Sequence, residues 1–147
     1  MSMNRSGRAS WVLIAGLVGV GLVIAILFLG GESPTAAAGK FMTALSKGDV
    51  RTLTDLSYLS GENKDQIERQ WDYAVNVAGP YYRFKYSIRS ERIVDSNDAA
   101  VSLSVWRNYF SGISYDEKFE LPMIKQEGKW LVDVRGINRE MFPALPR

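Results

Sequence analysis

Residues 11–29 read WVLIAGLVGVGLVIAILFL, an apolar run without a charged side chain. As a helix rising about 1.5 Å per residue it would be roughly 28 Å long, close to the ~30 Å hydrocarbon core of a bilayer. Trp11 sits at one end, where an interfacial indole belongs. Arg5 and Arg8 precede the run, and no acidic residue does. The bias of cationic flanks toward the cytoplasm then predicts a cytoplasmic arm at 1–10 and a transmembrane helix at 11–29. A short linker at 30–35, an extracytoplasmic domain at 36–135 and an apolar tail at 136–147 follow. In a bacterium this places the chain in the inner membrane with its C-terminal domain in the periplasm or outside the cell. Ala36-Ala37-Ala38 offers a small-x-small cleavage site, so a signal peptide is the competing reading. The apolar run exceeds the usual ~7–15 residue signal core, however, and the site lies well past its end, which favours an uncleaved anchor.

Small residues fall four apart at Ala15/Gly19 and Gly21/Ala25, a spacing that lets two membrane helices approach closely, although glycine and alanine are common in any span. Two of the 18 basic residues lie in the N-terminal arm. The remaining 16 balance the 16 acidic ones, so the water-facing part is formally neutral. A nucleic-acid partner would require a basic domain and is not expected. The chain has no cysteine and no histidine. That removes disulfides, thiolate chemistry and the commonest metal ligand and general base. Neither a cofactor nor a metal is expected.

After the span the periodicity is helical. Ser33-Pro34 supplies an N-cap and a first-turn proline. Ala37, Phe41 and Leu45 then share one face, and Gly48 ends the helix. Asp49 caps a second helix carrying Leu53, Leu56 and Leu59. Asn63 with Gln66 resembles a capping box, opening a third helix with Ile67, Trp71, Ala74, Val75 and Ala78 inward. Opposite charges at Lys64/Glu68 and Asp65/Arg69 are spaced for pairing along its solvent side. Gly79-Pro80 closes it.

The period then falls to two. Residues 82–89 alternate, with Tyr82, Phe84 and Tyr86 on one face and Arg83, Lys85 and Arg89 on the other. Asp95-Ser96-Asn97-Asp98 is turn chemistry. Val101, Leu103 and Val105 oppose Ser102 and Ser104 on a second strand. Tyr115, Glu117, Phe119, Leu121 and Met123 share a face of a third, on which Pro122 marks an end, a bulge or an edge. Glu127-Gly128 turns into a fourth strand at 129–134. The class is α+β, with three helices packed on a curved four-stranded antiparallel sheet.

The opening stretch from Ala37 to Asp49, the order of helices before strands, and the close Glu127-Gly128-Lys129-Trp130-Leu131-Val132-Asp133-Val134 together resemble the nuclear-transport-factor-2-like superfamily, a cystatin-like α+β cone. With one N-terminal span, the layout is similar to bacterial envelope proteins of that superfamily, including a scaffold subunit of secretion systems. The resemblance implies protein–protein scaffolding rather than catalysis. Cyclases and isomerases of the same superfamily use an acid beside Tyr or His. Here Asp72 beside Tyr73 and Asp133 read first as surface carboxylates, and no catalytic residue is named.

The leading expectation is therefore a non-catalytic accessory or scaffold subunit of a larger membrane complex. It would contact other membrane subunits and the bilayer, and a homo-oligomer is compatible with it. The alternatives are an anchored domain that binds a small apolar ligand and, behind it, a cyclase- or isomerase-type enzyme. Tyr82, Phe84 and Tyr86 are the candidate apolar pocket. Trp106, Phe110, Met141, Phe142 and Leu145 are the candidate partner surface.

Overall fold

Ser33 begins the first helix by accepting the Ala36 N–H, and Pro34 takes the first helical position. In the computed structural model, which describes residues 31–107, 112 and 115–147, this helix is α1 (Pro34–Lys47). It ends where Gly48 turns left-handed at φ 69°, a conformation that costs glycine little. Asp49 caps α2 (Val50–Leu56) through the Thr52 N–H at 3.1 Å and holds the Thr52 hydroxyl at 2.7 Å. These bonds to its ionised form hold the Asp49 carboxyl below its ordinary value. Asn63 and Gln66 form the full capping box of α3 (Lys64–Asp72), which continues as a π-helical segment, Tyr73–Ala78.

The strands are β1 (Ser57–Tyr58), β2 (Phe84–Ile93), β3 (Asp98–Arg107), β4 (Asp116–Gln126) and β5 (Lys129–Asp133). Their order across the sheet is β1-β5-β4-β3-β2. The sheet thus has five strands and is mixed, because β1 runs parallel to β5, pairing Ser57 with Val132. The expected four antiparallel strands are present, but the second helix stops three residues early. Ser57 and Tyr58 leave it to join the sheet, and Leu59 still reaches the core at 3% exposed. Pro122 lies within β4, one residue before the β4–β5 ladder begins at Met123–Val132. That flank of β4 is an edge there, where a missing donor is tolerated.

The inner face of the sheet carries Val101, Leu103, Val105, Phe119, Leu121, Met123 and Val132, all buried. Helix α1 lays Phe41, Met42 and Leu45 against it, and Trp71 of α3 meets Phe41 edge-on at 5.7 Å between ring centres. Burying each such side chain is worth about 1.5–3 kcal/mol. The Trp71 indole N–H, which burial would otherwise orphan, donates to Ser57 Oγ at 2.8 Å. On the surface, Lys64 reaches Asp55 at 3.0 Å on the neighbouring helix rather than Glu68 one turn along.

The expectations for Arg5, Arg8, Trp11, Ala15, Gly19, Gly21 and Ala25 in the N-terminal segment, and for Phe110, lie outside the described residues. Among the described residues no helix is long and apolar enough to cross a membrane.

Candidate functional site

Two regions of the domain could recognise a ligand or a partner, the interior of the cone and the outer face of the sheet. The interior is shaped first by β2. Alternation from Phe84 points Tyr86 and Ile88 inward, opposite Val105 and Leu103. Tyr82 precedes the strand, but its ring stays on the same side, 6.2 Å from Phe84.

These aromatic side chains do not enclose an empty apolar pocket. The tail turns back under the sheet after a short 3-10 turn (Val134–Gly136). Phe142 then packs edge-on to Tyr82 at 5.1 Å and to Phe84 at 6.2 Å. Tyr82 donates its hydroxyl to the Met141 carbonyl at 2.9 Å. Burial raises the Tyr82 hydroxyl pKa above its ordinary value, the nearby Arg107 charge opposing and Glu117 adding to that shift. Tyr86 donates to the Gly39 carbonyl at 3.2 Å and lies 2.7 Å from the Thr43 hydroxyl on α1. Gly79 makes room for the Phe142 ring, since a Cβ there would come within 2.8 Å of it.

The tail residues expected on a partner surface are accordingly corrected. Met141, Phe142 and Leu145 are 2–3% exposed and belong to the core of their own domain. A chain end rich in apolar side chains reads equally as a plug or a docking strip. Here the cone mouth was open to it, and filling that mouth buries three large side chains at once.

Arg107 also enters this region. Its guanidinium sits between the Tyr82 and Phe119 rings, 5.3 and 5.5 Å from their centres. It pairs with Glu117 at 3.3 Å and donates to the Glu140 carbonyl. The alternation that turns Val101, Leu103 and Val105 inward continues to Arg107, but the tail carbonyl that receives its guanidinium is not legible from β3 alone.

The candidate acids lie elsewhere. Asp72 is exposed and accepts from the Asn76 amide at 2.7 Å, and Tyr73 beside it is 56% exposed. Asp133 is half-buried on β5, on the side of the sheet away from Trp130 and Val132. Asp95 builds the expected turn, accepting the N–H groups of Asn97 and Asp98. No group of acidic side chains among the described residues could hold a metal ion.

On the outer face, Trp106 is half-buried and lies opposite Lys85 and Asp116 on the flanking strands. The Arg89 guanidinium covers it at 5.4 Å from the ring centre. Sequence alternation placed Arg89 on this polar face without revealing that contact.

No protein-family model matches the chain, and no curated protein matches it. Solved structures do. One, from Thiobacillus denitrificans, is assigned by inference as a calcium/calmodulin-dependent protein kinase type II association domain. It aligns at a TM-score of 0.52 and 11% identity, covering 69% of this chain and 90% of that one. A domain of unknown function with a cystatin-like fold, from Nostoc punctiforme, aligns at 0.50 and 11%, covering 67% and 69%. A ketosteroid isomerase-like protein from Erwinia carotovora atroseptica aligns at 0.49 and 17%, covering 67% and 86%. At such identities the likeness is one of fold. The described domain has the cystatin-like α+β cone that the sequence pattern led us to expect.

Proposed function

We propose that this chain is a non-catalytic accessory subunit of a larger membrane protein complex, anchored by residues 11–29 in a bacterial inner membrane, with its cone domain on the far side making protein–protein contacts. The observation that carries this reading is the filled cone mouth. In a cone-fold enzyme or ligand carrier that mouth admits a small molecule. Here Phe142 occupies the space between Tyr82 and Phe84. Tyr86 is tied to α1, and Arg107 is clamped between two rings. What remains for recognition is the exterior, and Trp106 under Arg89 is a half-buried aromatic on the outer face of the sheet. Half-buried aromatics paired with arginine are the residue types that anchor protein interfaces.

The reading is tested by extracting the full chain from its native membrane in mild detergent and determining particle size on a native gel, with mass spectrometry of the band. Co-migration with other subunits in fixed stoichiometry is the expected result. A monomer, or a homodimer alone, would overturn it.

A further inference from the structure

The tail is seated like a ligand rather than woven in like a strand. Among the described residues it pairs with no strand of the sheet. Side chains from elsewhere hold its backbone instead. Tyr82 binds the Met141 carbonyl, Arg107 the Glu140 carbonyl, and Gln70 the Arg147 N–H. Gly79 leaves the space that the Phe142 ring fills. Ala144, inside the seated stretch, takes a left-handed φ of 52° that a residue with a Cβ adopts at a cost. The recess, rather than local backbone preference, therefore sets the shape of residues 141–147.

This seated part hangs on a short exposed hinge. Ile137 is buried, and so are Met141 and Phe142, but Asn138, Arg139 and Glu140 between them are exposed. Folded, the hinge is a turn closed by the Met141 N–H on the Asn138 carbonyl at 3.0 Å. Opened, the four steps from Ile137 to Met141 span about 13–14 Å at ~3.3–3.6 Å each. The tail can then enter the recess of a second copy only where the two recesses meet nearly rim to rim.

The rim suits such an approach. Residues 73–82, the run that contains Gly79, carry no charged side chain. Tyr73 and Tyr81, on either side of Gly79, are 56% and 91% exposed. Large aromatic side chains left this open mark contact surfaces, and tyrosine is among the residues that anchor them. The charges bordering the rim balance. Lys47 and Arg83 line a surface cavity of about 260 Å³ beside Phe142. Asp72, bonded to the Asn76 that also lines it, and Glu140 on the hinge are exposed.

We infer that residues 141–147 are an exchangeable strap, and that two copies of this chain meeting rim to rim seat each other's tails, so that Phe142 of one fills the recess between Tyr82 and Phe84 of the other. The fit of the incoming segment is the fit already seen within one chain. Every contact of the tail is kept in the exchange, only the hinge opens, and Tyr73 and Tyr81 are covered in addition. Met141, Phe142 and Leu145 remain core residues in either seating. The inference goes beyond the accessory-subunit reading, since it requires two copies side by side.

The test cross-links full chains in their native membrane. Two differently tagged forms are co-expressed, one with Gln70→Cys and the other with Arg147→Cys, and the membranes are treated with a short bis-maleimide. The chain has no cysteine of its own, so only these two sites react. Exchange yields a product carrying both tags. Phe142→Ala on the Arg147→Cys form should cut that product about tenfold. Tyr81→Ser on both forms should also reduce it, and Asn97→Cys in place of Gln70→Cys should give none. A single chain carrying both substitutions is the reference for reach. If it cross-links within itself while the mixed forms give no two-tag product, exchange is overturned. No cross-link in any form overturns the seating of the tail, and exchange with it. A two-tag product indifferent to Phe142 and Tyr81 reports collision of neighbours and overturns exchange as well. If an assembly of fixed stoichiometry is found without a two-tag product, exchange falls and the subunit reading stands. If the two-tag product forms in a particle made of this chain alone, the subunit reading falls and exchange stands.

Discussion

Replacing Phe142 by alanine tests whether the tail is a structural plug. The ring is 2% exposed and makes edge-on contacts with Tyr82 and Phe84. Loss of burial alone costs about 1.5–3 kcal/mol, and aromatic pairing adds about 0.5–1.5 kcal/mol. A residual cavity brings typical Phe→Ala costs to about 3–5 kcal/mol. Phe142 lies close to the chain end, so the tail can settle into part of the space, which favours the lower value. About 3 kcal/mol is a large share of the ~5–15 kcal/mol that holds a domain together. For a domain of this size it lowers Tm by roughly 10 °C. The assay is urea and thermal unfolding of the full chain in detergent, followed by tryptophan fluorescence and near-ultraviolet dichroism. Val77→Ala, at a position 62% exposed, serves as the control and should move stability by less than ~0.5 kcal/mol. A loss under about 1 kcal/mol for Phe142→Ala would refute the plug, and with it the case that the cone is closed from within.

Asn63→Ala should cost about 1 kcal/mol by removing the α3 cap, measured by urea midpoint at unchanged slope. Trp71→Phe deletes the indole bond to Ser57 and leaves part of the buried indole's space empty, and should cost about 1–3 kcal/mol in the same assay. The pH dependence follows from Tyr82, whose hydroxyl pKa is raised in the folded state. The unfolded chain loses this proton first, so the contribution is fully present below the unfolded pKa near 10 and is lost as pH rises through the folded value. Tyr82→Phe should flatten that alkaline decline in a denaturation series, and an unchanged slope would remove Tyr82 as its source.

The sequence by itself determined the local devices. Ser33-Pro34, Gly48, Asp49, the Asn63–Gln66 box and the Glu127-Gly128 turn all act within four residues, and each is found where its chemistry places it. The change from helical to alternating period marked the sheet, because a period-two pattern puts Val101, Leu103 and Val105 on one buried face wherever the strand sits. The tertiary structure decided what depends on distant partners. Ser57 and Tyr58 are too few to signal a strand, and they become one because Val132 and Asp133 offer a free flank. Arg89 reads as one more solvated cation until a bulge in β2 and the Ser104 hydroxyl hold it. The tail could be called apolar but not placed. Its burial rests on Tyr82, 59 residues away from Met141, and on Gln70, 77 residues from Arg147. Short-range chemistry is written in neighbouring residues, whereas the occupant of a cavity is set by whichever segment of the folded chain lies nearest with apolar surface still to bury.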